Sequence, residues 1–72
     1  MRKSYRMEEL ECANCAAKMQ AAIARLPGVQ QVNISFMAQK MTIETVDERH
    51  EEIMAEADRI CRSFEPDCRI LR

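Results

Sequence analysis

Cys12-Ala13-Asn14-Cys15 is the stretch of this chain best equipped for chemistry. Two intervening residues let both sulfurs turn toward one point. From Cys15 onward Ala16, Met19, Ala22, Ile23 and Leu26 recur at helical spacing, with Lys18, Gln20 and Arg25 on the other side. The second cysteine therefore falls in the first turn of an amphipathic helix, and the first in the loop before it. Free N–H groups of that turn and the helix dipole favour thiolate over thiol. Thiolate is the form that ligates a soft or borderline metal, and it is also the nucleophile of disulfide exchange. Two sulfurs are fewer than the four of a closed structural zinc site, so a pair on a solvent-reachable loop describes exchangeable capture. A thioredoxin-like dithiol has the same spacing, but in a longer chain, with Pro or Gly between the cysteines and a cis-proline facing them. Here the intervening residues are Ala13 and Asn14, and the prolines are Pro27 and Pro66. The residues favour metal capture, with a dithiol–disulfide redox module as the alternative from a different class.

Other donors take plainer readings. Cys61, after Ile60 near the end of a second helix, is a candidate third thiolate. Cys68 shares strand parity with Ile70 and reads as a buried, inert thiol. His50 is expected on an exposed helix surface rather than at a metal. Met7, Met19 and Met41 fall on apolar faces as core, while Met37 and Met54 are scattered.

The elements that must position the cysteines follow from periodicity. Tyr5 and Met7 alternate with Arg6 and Glu8 in a strand running to about Glu9. Pro27-Gly28 stops the first helix. Val32, Ile34 and Phe36 alternate in a second strand, Met37-Ala38-Gln39-Lys40 makes a hairpin turn, and Met41, Ile43 and Thr45 alternate in a third. Asp47 is placed to cap a second helix, with Glu48, Glu51 and Glu52 near its positive end and Ile53, Ala57, Ile60 and Phe64 as its buried stripe. Cys68, Ile70 and Leu71 suggest a short last strand. The order β-α-β-β-α-β predicts an α+β, ferredoxin-like sandwich: a four-stranded antiparallel sheet with two helices on one face.

Composition narrows the function classes. At 72 residues the chain is expected to form a single domain, 1–72, without room for a pocket between lobes. Its net charge of −1 and its three aromatic residues, Tyr5, Phe36 and Phe64, argue against a nucleic-acid partner. No apolar run approaches the ~20 residues of a membrane span, so no direct membrane insertion is expected. The first ten residues lack the apolar stretch of a signal peptide, which predicts a cytoplasmic setting with reduced thiols.

Leu10-x-Cys12-x-x-Cys15, then Leu26-Pro27-Gly28-Val29 and Val32-Asn33, closely resemble the heavy-metal-associated domain over nearly the whole chain. The resemblance implies the ferredoxin-like fold and soft-metal binding through Cys12 and Cys15, in free metallochaperones or in cytosolic N-terminal domains of metal-exporting P-type ATPases. Leu10 stands where the family usually has methionine, and Glu9 where a glycine is common. Glu11 occupies a position that is often Thr or Ser in copper domains and Asp in zinc, cadmium and lead exporters. Copper(I) prefers two thiolates in near-linear coordination, whereas zinc and cadmium want about four ligands and accept a carboxylate. Glu11 is thus implied as a third ligand for Zn(II), Cd(II) or Pb(II). Cys12-Ala13-Asn14-Cys15-Ala16-Ala17-Lys18 and the run Ser63-Phe64-Glu65-Pro66-Asp67 also look like those of the zinc/cadmium exporters, where copper chaperones often carry Gly-Tyr. The expectation is a monomeric, non-catalytic metal-binding domain whose partners are the metal ion and the transport or nucleotide-binding domains of an ATPase. A free Cu(I) metallochaperone is the alternative.

Overall fold

A computed structural model describes residues 1–72. The strand β1 (Arg2–Glu8) leads through a short loop into helix α1 (Ala13–Ala24). The hairpin of β2 (Val29–Ser35) and β3 (Lys40–Thr45) follows, and a single 3-10 turn over Asp47–Arg49 opens onto α2 (His50–Phe64) before the last strand, β4 (Arg69–Leu71). The sheet order is β2-β3-β1-β4 and every neighbouring pair is antiparallel. The ferredoxin-like β-α-β-β-α-β architecture expected from the sequence is the one observed.

Alternation along the strands builds the core. Met7, Val32, Ile34, Met41, Ile43 and Ile70 turn to one face, where Ala16, Met19 and Ile23 of α1 and Ile53, Met54, Ala57 and Cys61 of α2 close over them. No helix is long and apolar enough to cross a membrane. Gly28 ends the α1–β2 connection at φ 93°, a left-handed conformation that glycine adopts without a Cβ penalty. A Cβ there would meet Ile53 Cδ1 and Val46 Cγ2, each at 3.0 Å.

Four expectations require correction, three of them in or beside α2. Asp47 does not cap that helix; its carboxylate pairs with the Met1 amine at 2.7 Å, and the 3-10 turn separates it from the first α-helical residue. His50 is buried rather than exposed. Its Nε2 lies 2.7 Å from Tyr5 Oη and its Nδ1 2.7 Å from Thr45 Oγ1, so both ring nitrogens are satisfied inside the protein. The buried stripe of α2 is Ile53, Met54, Ala57 and Cys61, while Ile60 is half-buried and Phe64 exposed. A 3.6-residue period allows two adjacent stripes along this helix, and docking on the sheet selects the one through Met54 and Cys61. Finally, α1 begins two residues before Cys15, for a reason that belongs to the site.

Candidate metal site

Strand pairing brings three loops to one end of the sheet. Glu8 pairs with Arg69, which sets the β1–α1 loop beside the α2–β4 connection. Arg6 pairs with Lys40, which places the β2–β3 turn at the same end.

Cys12 is the N-cap of α1. Its backbone is extended (φ −129°, ψ 113°), and its Sγ accepts the Cys15 backbone N–H at 3.1 Å. A sulfur here performs the task usually given to Ser, Thr, Asp or Asn, satisfying one free donor of the first turn. That is why the helix starts at Ala13 and not at Cys15. Both thiols are half-buried and neither is in a disulfide.

The two sulfurs are electrostatically unequal. The Cys12 thiol is held below its ordinary pKa, first by a hydrogen bond from the Cys15 thiol and then by the Cys15 backbone N–H. Cys15 is pushed up, first because it donates to Cys12, then by burial and by repulsion from Cys12 and Glu65; Lys18 partly offsets this. Cys12 is thus the more readily ionised of the two, and a bound cation would displace the protons that the pair still carries.

Glu65 is a candidate site residue that sequence reasoning missed. It follows α2 directly, with its N–H bonded to the Cys61 carbonyl at 3.0 Å, and its carboxylate turns back toward the cysteine loop. Oε1 accepts the Glu11 backbone N–H at 3.2 Å, while Oε2 is buried with no hydrogen-bond partner. An unpaired buried carboxylate oxygen is costly, and this one raises the proton affinity of both cysteines. Glu65, Cys15 and Glu11 line one shallow depression, with Phe64, Pro66 and Asp67 at its wall. Thiolate sulfur and carboxylate oxygen are the donor types that a borderline divalent ion takes. The sequence signal was Glu65 itself, in a run already noticed, but nothing local indicated where its side chain would turn.

The other expected donors lie apart. Glu11 reaches the site through its backbone, and its side chain is exposed. Cys61 is fully buried in the core beside Cys68, away from the solvent-facing pair. No three His, Cys, Asp or Glu side chains are grouped in the structure so as to hold an ion together.

Fold and site together define a small ferredoxin-like domain with an accessible cysteine pair at a helix N-terminus. Residues 4–60 match the heavy-metal-associated domain family, and the chain belongs to it. It is 38% identical over 39 residues to a cadmium-transporting ATPase of Staphylococcus aureus, covering 54% of this chain and 5% of the relative. It is 35% identical over 43 residues to the zinc/cadmium/lead-transporting P-type ATPase of Escherichia coli K12, covering 60% and 6%. The chain therefore spans about one-twentieth of the length of these curated relatives. Among solved structures, the yeast copper transporter domain CCC2A, studied in apo and Cu(I) states, superposes with a TM-score of 0.73 at 20% identity over 99% of this chain and 94% of that one. That likeness is one of fold. The chain is a heavy-metal-binding module, and its relatives include transporters of cadmium and zinc.

Proposed function

We propose that residues 1–72 work as one domain that captures Zn(II), Cd(II) or Pb(II) on Cys12 and Cys15, with a carboxylate as third donor. Glu65 is the better placed to supply it, and Glu11 is the second candidate. The observation that carries this reading is the unpaired Oε2 of Glu65 at the end of the sheet where the cysteine pair lies, close enough for its charge to raise the proton affinity of both thiols; the three donors would have to draw together around the ion. Once deprotonated, two thiolates and a carboxylate would repel one another, and a divalent ion offsets more of that repulsion than a monovalent one. The likeness to cadmium- and zinc/cadmium/lead-transporting ATPases supports the same metals, and a cytosolic metal-loading role ahead of a P-type ATPase's transport domains.

The mechanism is ligand exchange. Cys12, the more readily ionised thiol, binds the incoming ion first; Cys15 follows as it loses its proton; the carboxylate closes the third position. Because the pair is solvent-facing and under-coordinated, a partner's ligands can enter before these leave. The chain's contribution is binding and hand-over, with no bond of an organic substrate made or broken.

Titration of the reduced protein with Zn(II), Cd(II) and Cu(I) against competing chelators tests this. Cys12→Ser/Cys15→Ser should abolish binding. Glu65→Gln should lower affinity for the divalent ions about tenfold and leave Cu(I) unchanged, the usual scale for a supporting carboxylate. A parallel Glu11→Ala distinguishes the two carboxylates. Divalent binding indifferent to both, together with far tighter Cu(I) binding, would establish the Cu(I) metallochaperone reading instead. A dithiol that binds no metal but cycles with a thiol reductant would establish the redox module.

A further inference from the structure

Gln39, in the turn between β2 and β3, makes contacts that the turn itself does not require. Its backbone lies in the left-handed region at φ 53°, where Gly and Asn are at least cost. The side chain is spent on the neighbouring loop. Nε2 donates to the Leu10 carbonyl at 2.7 Å and to the Phe36 carbonyl at 2.9 Å, and Oε1 accepts the Leu10 N–H at 3.3 Å. The Gln39 carbonyl also accepts the Met7 N–H at 2.8 Å. Both backbone groups of Leu10, two residues before Cys12, are thus held by one carboxamide arriving from 29 residues away.

The geometry of Leu10 explains what the clamp achieves. Its side chain is buried at 2% exposure as a plug under the loop, and the preceding Glu9 is itself in the left-handed region at φ 59°. The chain must turn sharply there and then present Cys12 in the extended conformation that caps α1. A carboxamide can accept from the N–H and donate to the C=O of one residue at once, and Asn is a methylene shorter.

We propose that Gln39 is a positioning residue for metal capture: by clamping Leu10 it fixes the loop that carries Cys12 before the ion arrives. This rests on the reading of Cys12 and Cys15 as ligands. The loop's ordering cost is then met on folding instead of on binding, which raises affinity without any contact between Gln39 and the ion. Gln39 also couples the exposed β2–β3 turn to the metal loop.

The test uses Gln39→Gly and Gln39→Asn, which suit φ 53° but cannot reach Leu10, and Gln39→Glu, which keeps the length yet sets a carboxylate against two carbonyl oxygens. Amide hydrogen exchange on the metal-free protein, thermal midpoints, and Zn(II) and Cd(II) affinities by chelator competition are measured for each. The Leu10 amide should exchange at least about tenfold faster, and affinity should fall about tenfold, the scale seen for outer-shell partners. Gln39→Gly relieves the backbone at φ 53° but gives up three hydrogen bonds and frees the unfolded chain, so its thermal midpoint should fall modestly, and affinity measured well below that midpoint on folded protein is not a folding loss. Faster Leu10 exchange with wild-type affinity would overturn the proposal, as would affinity losses that merely track falling midpoints across the three variants. If the wild-type protein binds neither ion, the ligand reading fails and takes this role with it. Hydrogen exchange on the metal-free protein still reports the clamp, so the two failures are told apart.

Discussion

Cys12 and Cys15 stand half-exposed where α1 begins, whereas Cys61 and Cys68 lie fully buried where α2 ends and β4 starts. Both pairs hold hydrogen-bonded thiols, and Glu65 acts electrostatically on all four. Their chemistry is nonetheless opposite. At the helix N-terminus, donors are available to a thiolate, and Cys12 is pulled below its ordinary value. In the core there is chiefly desolvation, which pushes Cys61 up to about 12 and Cys68 up to about 11. Reactivity in this protein is set by surroundings: for Cys12 the Cys15 thiol first and a free helix N–H second, and for Cys61 and Cys68 burial.

The sharpest break of that contrast is alkylation. Pulsed iodoacetamide at pH 7 followed by peptide mass spectrometry should label Cys12 first and Cys15 next, with Cys61 and Cys68 unmodified on the same timescale. An unperturbed thiol near pKa ~8.5 and one at about 12 differ by roughly a thousandfold or more in thiolate fraction at neutral pH, before exposure is considered. Comparable labelling of all four would mean that the core opens at the α2–β4 end.

A second break comes from pH. The buried thiols have folded pKa values of about 12 and about 11, raised above the ~8.5 of an unfolded chain. Their contribution to stability is fully present below pH ~8.5. Between there and pH ~11 the unfolded state releases protons that the folded state keeps, so stability falls as pH rises, by up to about 1.4 kcal/mol per unit for each thiol. Thermal midpoints should therefore decline from about pH 9. The double variant Cys61→Ala/Cys68→Val should flatten that decline, while Cys12→Ser/Cys15→Ser should not.

The same contrast shows how much of the molecule was legible in its sequence. Alternation in Val32-Ile34 and Met41-Ile43, and the Cys-x-x-Cys at a strand–helix junction, were enough to place the fold and the cysteine pair. The facing of α2 was not. Ile53, Ala57, Ile60 and Phe64 form an apolar stripe, but so do Met54 and Cys61 with Ala57, and only the sheet decides between them. His50 looked like surface because its partners, Tyr5 and Thr45, come from two different strands. Glu65 escaped for a related reason. Its bond to Glu11 joins residues 54 apart and exists only because Glu8 pairs with Arg69. Local chemistry shows in sequence when both partners are local; contacts made by tertiary closure do not.

Serine substitution gives the finest discrimination between the pairs, because it keeps size while exchanging a weakly polar sulfur for a hydroxyl that needs a partner. At Cys15, half-exposed, water can serve the hydroxyl, and chemical denaturation should show a change of under about 0.5 kcal/mol. At Cys61 the group is fully buried among Ile53, Met54 and Ala57 of its own helix and the apolar strand faces. A serine there loses apolar transfer energy and gains a hydroxyl whose acceptors are the Ala57 carbonyl one turn back or the Cys68 sulfur, so a loss of about 1–3 kcal/mol is expected. Cys61→Ala separates the two causes: it leaves a small cavity but no unsatisfied donor. If serine proves no worse than alanine, the burial cost of the hydroxyl is being met by an internal acceptor, either the Ala57 carbonyl or the Cys68 sulfur.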